Sequence, residues 1–192
     1  MPPRCFLLVT AIGKSRNIGM LMRSAVAFNA EIVLCGSNFK NYGSQGTHRF
    51  AVVHGFPTAA EGVTFLRTQG ARILGIEITP GAEKVDAHPF SGPTAFLPGN
   101  EGTGLAETQK ALCDGFIYVP QFGNGTGSLN VGVATGIVLH HFGSWAGYGE
   151  VARDPSGDKF EVDAAAVAWR GEYSAAQAAV RDARARARQP KE

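Results

Sequence analysis

The stretch "FIYVPQFGNGTGSLNVGVATGIVLHHF", residues 116–142, decides the fold. Its first four residues are the short apolar and aromatic run of a buried strand. From Leu129 the pattern becomes a helix that is apolar on nearly every side (Val131, Val133, Ala134, Ile137, Val138, Leu139), so it belongs inside the protein. Gly132 and Gly136, four apart, share one side of that helix and suit it to close packing. Strand and helix are joined by a loop with glycines at 123, 125 and 127, ending in Ser128 and Asn130. Ser128 reads as the helix N-cap and Asn130 as a first-turn residue serving nearby backbone groups. Polar side chains at the mouth of a buried helix must be hydrogen-bonded to something.

The same strand, loop and helix recur outward from this stretch. "TAFL" (94–97) runs into "PGNEGTGL" and then a helix. "CFLLV" (5–9) runs into "TAIGKSR", then a helix from about Asn17 to Phe28 with Ile18, Leu21, Met22, Ala25 and Val26 on one face. Strands are also expected at "EIVLC" (31–35), "FAVV" (50–53) and "RILGIEI" (72–78), with a long polar loop over 36–49. The helix after 53 should open at a Thr58–Glu61 capping box and close at Gly70. This alternation predicts an α/β protein, a mostly parallel sheet sandwiched by helices. Residues 1–145 read as one domain. Residues 146–192 read as an irregular connection and an alanine-rich helix or tail that turns basic at Arg181, Arg184, Arg186, Arg188 and Lys191.

A 192-residue chain should bury roughly 70% of its unfolded surface, enough to stand without a disulfide or metal. Cys5, Cys35 and Cys113 are far apart and form no CxxC, which favours reduced thiols in the cytoplasm. No apolar run is long enough for a signal peptide or a membrane span. The net charge of +2 neither demands nor excludes a nucleic-acid partner.

In an open parallel sheet, ligands sit outside the carboxyl ends of the strands. The loops after 9, 97 and 119 are therefore expected to converge on one crevice. In "KSRNIGMLMR" (14–23), Asn17 reads as a helix cap. Helical side chains lean toward the amino end, so Arg23 would pass over the bare turn at Gly19 and reach back near Asn17. An ordinary surface arginine is the competing reading. Glycines 99, 102 and 104 allow a ligand close to the main chain, yet the loop is neither a Walker A motif nor G-x-G-x-x-G. Glu101 either serves a helix dipole or orients an arginine or hydroxyl. A Ser–His hydrolase is disfavoured, since Ser128 lies in G-S-L-N rather than G-x-S-x-G. His140 and His141 point to different helix faces and share no metal; they read as helix-end residues, and His48, His54 and His88 as loop or strand-end residues.

Three segments, in order and at matching spacing, resemble the SpoU/TrmH-type RNA ribose 2′-O-methyltransferases of the SPOUT superfamily. "NIGMLMR" (17–23) looks like their N-x-G-x-x-x-R motif, "LPGNEGTGL" (97–105) like G-N-E-G-x-G, and "VPQFGNGTGSLNVGVA" (119–134) like the proline, glycine-loop and S-L-N-V motif. The chain departs from the pattern at Gln121, where the family often has methionine, at Gly132, where serine is commoner, and in a loop one residue longer before Ser128.

The resemblance implies a trefoil knot in the last third of the sheet domain, an exception to the un-knotted rule. It implies S-adenosylmethionine held bent by backbone groups of Gly99, Val119 and Leu129, with Ile76, Glu77 and Leu97 as wall. It makes Arg23 the key catalytic residue. A guanidinium stays protonated, so its implied role is to clamp an RNA phosphate and stabilise alkoxide character on the ribose oxygen. Asn17 and Glu101 would position Arg23 and the ribose, and Ser128 and Asn130 would order the cofactor loop and the nucleophile. A homodimer is implied, with the site near the subunit interface and the paired glycines of the last helix suited to that packing. The implied substrate is RNA, tRNA favoured over rRNA, with room for an accessory protein in substrate choice and no membrane partner. RNA contacts are expected from the 36–49 loop, with Lys40, His48 and Arg49; the basic tail is either another contact or a solvated helix end. The alternative is a catalytically silent, dimeric RNA-binding relative of the same fold, against which intact Asn17, Arg23, Glu101, Ser128 and Asn130 speak.

Overall fold

Among the described residues, seven strands form one sheet in which every pairing is parallel: β1 Cys5–Val9, β2 Ala30–Cys35, β3 Val53–Phe56, β4 Arg72–Ile76, β5 Glu83–Lys84, β6 Thr94–Pro98 and β7 Gly115–Tyr118. Their order is β3-β2-β1-β6-β4-β7-β5. The computed structural model describes residues 1–10, 15–36, 47, 50–100, 102–157 and 159–162. The central strands β1 and β6 are buried along their whole length, as strands covered on both faces must be.

Side chains alternate between the faces. Cys5, Leu7 and Val9 join the core under α1 (Ser15–Ala27) and α4 (Val131–Trp145), alongside Leu21, Met22, Val138, Leu139 and Phe142. Phe6 and Leu8 join the other core, where α2 (Ala59–Thr68) contributes Leu66. The N-cap of α2 forms at Thr58 as expected, with Glu61 reaching back to the Thr58 hydroxyl in place of the backbone N–H of a full capping box. The Thr58 side chain accepts from the Glu61 N–H at 3.3 Å and its hydroxyl donates to Glu61 Oε1 at 3.1 Å. Gly70 takes the left-handed φ of +68° that ends the helix.

Several boundaries differ from expectation for identifiable reasons. The third strand is Val53–Phe56 rather than 50–53. Its polar-looking His54 is held by Glu31 on β2, at 2.7 Å, and by the Phe65 ring. The fourth strand stops at Ile76, short of Ile78. β5, two exposed residues, has no apolar signature and exists because it pairs with β7. The helix after the 99–104 loop is a single turn, α3 (Glu107–Lys110). The alanine-rich tail, and Lys40, His48 and Arg49, lie outside the described residues.

Residues 77–93 form a belt. They leave β4, pair along the outside of β7 through β5, and turn through a short 3-10 segment, Val85–Ala87, against α4. They then return to β6. His88 Nε2 lies 3.2 Å from His141 Nδ1, and Phe90 packs against Phe96, Phe142 and Trp145.

Candidate functional site

Because every strand runs the same way, β4, β6 and β7 end at one edge, and a cavity of about 250 Å³ opens there. Its wall comes from residues 76–78 after β4, from Gly99, Asn100, Gly102 and Gly104 after β6, and from Tyr118, Val119, Gln121, Ser128, Leu129, Val131 and Ala134 beyond. The structure thus brings together Ile76, Glu77, Gly99, Val119, Ser128 and Leu129. Leu97 is not on this wall. It is fully buried beneath, packed with Leu8, Ile73, Ala95 and Leu105.

The 99–104 loop closes on itself. Asn100 and Gly104 exchange N–H to C=O bonds, both 2.9 Å, and Asn100 Oδ1 accepts from the Gly102 N–H at 2.9 Å. The Leu105 N–H donates to Glu77 Oε2 at 2.8 Å. The N–H groups of Asn100, Gly102, Gly104 and Leu105 are therefore engaged within the loop or by Glu77. A Cβ on Gly99 would stand 2.8 Å from the Gly104 carbonyl carbon. Gly104 has φ +69°, and a Cβ there would strike Glu77 Oε2. Asn100 is a residue that the motif reading passed over, although a short Asx turn at G-N-x-G is its local signal. Glu101 lies outside the described residues.

The third loop corrects one expectation. The N-cap of α4 is Asn130, whose Oδ1 accepts from the Gly132 and Val133 N–H groups at 2.9 and 3.4 Å. Helix α4 starts at Val131, so Ser128 stands two residues upstream of the cap, exposed on the cavity wall. Its N–H and C=O are tied to the Thr126 hydroxyl at 3.4 and 2.9 Å.

Asn17 is likewise not a cap. It is the third residue of α1, only 4% exposed, and its Oδ1 accepts from Asn130 Nδ2 at 3.2 Å. That bond joins the first-motif helix to the third-motif loop. Further along the same two helices, a Cβ on Gly132 would lie 3.0 Å from Met20 and one on Gly136 3.4 Å from Ser24. The paired glycines therefore seat α4 against the chain's own α1, rather than serving a second copy as expected. Arg23, one turn beyond Met20, is exposed on α1 and lies off the cavity wall.

The cysteines supply no ready nucleophile. Burial pushes the Cys35 and Cys113 thiols up to about 12 and about 11 and also raises Cys5, so none is a thiolate at neutral pH. No cluster of three or more His, Cys, Asp or Glu among the described residues has the placement to hold a metal ion. No described helix is long and apolar enough to cross a membrane.

Parallel strands whose loops wall a cavity at their carboxyl ends define an α/β protein with its candidate ligand site at the sheet edge. The chain belongs to the SpoU rRNA Methylase family, whose sequence profile matches residues 4–140. It is 28% identical over 143 residues to the tRNA (guanosine(18)-2'-O)-methyltransferase of Escherichia coli (strain K12), covering 72% of this chain and 62% of that protein. It is 31% identical over 147 residues to the 23S rRNA (guanosine(2553)-2'-O)-methyltransferase RlmP of Bacillus subtilis (strain 168), covering 72% and 57%. The match thus spans less than two thirds of either relative. Among solved structures, the SpoU methyltransferase AviRb from Streptomyces viridochromogenes, in complex with the cofactor AdoMet, superposes with a TM-score of 0.68 at 23% identity, covering 78% of this chain and 63% of that one.

Proposed function

We propose that this protein transfers a methyl group from S-adenosylmethionine to a ribose 2′-hydroxyl of RNA, tRNA favoured over rRNA. The observation that carries the reading is the Asn17–Asn130 hydrogen bond. It ties residues 113 positions apart, one in the first motif and one in the third, beside a cavity walled by the second and third motif loops. The wall suits a nucleoside carrying a charged amino-acid tail. Apolar Ile76, Val119, Leu129 and Ala134 alternate with Glu77, Asn100, Gln121 and Ser128, and Gly99 and Gly104 leave room that side chains would fill.

Backbone groups of Gly99, Val119 and Leu129 would hold the methyl donor, with Ile76 and Glu77 at its side. Bound there, the donor supplies an electrophilic methyl on a sulfonium centre. The chain's own work is on the nucleophile, an alcohol that is weak while protonated. Arg23 holds the RNA phosphate and stabilises negative charge on the 2′-oxygen while the proton leaves to phosphate or water. Asn17 and Glu101 position Arg23 and the ribose. Ser128 and Asn130 order the loop, so that donor and acceptor stand in line.

The reading includes a homodimer. Ile78, Phe122, Leu129 and Val133 are exposed apolar side chains on the segments that wall the cavity, a surface suited to a second copy. It also includes a trefoil knot. β5 runs outside β7 and the belt continues against α4, which supports a path in which the connection from β7 to α4 passes inside the belt. An accessory protein for substrate choice and a cytoplasmic setting complete the reading. The test is transfer of labelled methyl from S-adenosylmethionine to unmodified tRNA and rRNA, with the product nucleotide mapped. Label in a ribose 2′-O-methyl group, tRNA ahead of rRNA, is the expected result. Label on a base, or cofactor binding with no transfer to either RNA, overturns it.

A further inference from the structure

Gln121 follows the end of β7 by three residues, and Pro120, whose ring fixes φ, stiffens the step into it. It stands two residues before Gly123, where glycines 123, 125 and 127 loosen the loop. It lines the cavity, and its Oε1 is buried with no hydrogen-bond partner among the described residues. The two other such atoms, Thr79 Oγ1 and Thr135 Oγ1, belong to residues off the wall. The polar groups around Gln121 behave differently. Glu77, Asn100 and Asn130 each accept from a backbone N–H nearby. A buried acceptor left open works against folding unless something else meets it. Methionine, common at this place in the pattern the third motif resembles, would fill the same space without that burden, its thioether being only a weak acceptor.

We propose that the Gln121 carboxamide is a polar anchor for the methyl donor, its oxygen accepting an N–H from that ligand. The inference rests on the cofactor reading given above. Because no internal bond fixes the amide, rotation about its last torsion brings oxygen or nitrogen to the cavity at little cost. The ligand offers N–H donors of one kind in two places, the exocyclic amine of its base and the ammonium of its amino-acid tail. Gln121 is thereby a specificity-determining residue, not a member of the reacting set.

The test is calorimetric titration and thermal unfolding of wild type and Gln121→Met, using S-adenosylmethionine and 5′-methylthioadenosine, which lacks the tail. The Met variant is expected to bind S-adenosylmethionine about tenfold more weakly. Its ligand-free form should unfold at the same temperature as wild type or higher, since an unmet acceptor has been replaced by an apolar group of similar size. An equal loss for 5′-methylthioadenosine puts the donated N–H on the base, and a loss confined to the full cofactor puts it on the ammonium. Wild-type affinity retained by Gln121→Met for both ligands overturns the anchor while leaving the cofactor reading standing. A ligand-free Met variant that unfolds earlier also overturns it, by showing that the oxygen serves the fold. Failure of the wild type itself to bind either ligand removes the anchor and the cofactor reading together.

Discussion

The two edges of this sheet are built on opposite plans. At the amino-terminal edge, charged groups answer one another. Arg4 grips the Glu31 carboxylate with two N–H donors, both at 2.8 Å, and also donates to Gln69. His54 closes on the same carboxylate at 2.7 Å. Nearby, Arg67 pairs with Asp114, which also accepts the Ile73 N–H at 2.7 Å, and the Tyr148 hydroxyl donates to the Pro3 carbonyl at 2.7 Å. At the carboxyl-terminal edge the 99–104 backbone is closed, but the Gln121 oxygen has no partner among the described residues, and Ser128 and Leu129 stand exposed around a cavity. One edge spends its polar chemistry on the fold. The other leaves some of it open.

Substitutions at the two edges should therefore separate stability from activity. The largest effect is expected from Arg23→Ala. Methyl transfer should fall by about 10²–10³ or more, while calorimetry finds S-adenosylmethionine affinity within about twofold, the mark of an interaction made only in the transition state. Retained turnover removes Arg23 from the chemistry. Gly104→Ala comes next. It forces a side chain into a φ of +69° and against Glu77, costing about 1–3 kcal/mol. Denaturant unfolding should show that loss together with much weaker cofactor binding; intact binding would mean that the loop's closure does not shape the cavity.

Asn130→Ala removes the α4 cap and the link to Asn17, so it should cost about 1–2 kcal/mol and lower turnover as well. Were stability to fall with kcat unchanged, the bond would be a structural strut only. The smallest effect should come from the amino-terminal edge. Burial alone would raise the Glu31 carboxyl, but bonds from His54 and Arg4 outweigh it and hold the group below the usual carboxylate range. A group depressed in the folded state adds stability above its unfolded pKa, about 4.3, and that stability drains away as pH falls through the folded value. Glu31→Gln should therefore flatten the acid limb of an unfolding-versus-pH curve while activity at neutral pH stays unchanged. An acid limb identical to wild type would exclude Glu31 as a source of that stability.

Much of this was readable in the chain because the governing interactions are local. The all-apolar run at 5–9 is β1 to the residue, and the Thr58–Glu61 spacing gave the cap and start of α2. Convergence of the loops after β6 and β7 followed from parallel strands alone. Roles set by distant partners were not readable. Asn17 and Ser128 look like caps at short range, yet Asn17 is buried because Asn130 lies beside it in space, and the true cap sits two residues past Ser128. The paired glycines of α4 carry no label saying whether their partner is Met20 and Ser24 or another molecule. β5 is invisible for the same reason, since Glu83 and Lys84 become a strand only through β7.

The strand order also bears on how the chain is made. β6 fills the slot between β1 and β4, with Cys5 opposite Thr94 and Arg72 opposite Thr94 from the other side. Until the ribosome has released residues 94–98, the two strands on either side of that slot, β1 and β4, each lack a neighbour. The nascent protein thus carries open ladders from the making of β1 until that of β6, a hazard that ends only when a later segment slides between earlier ones.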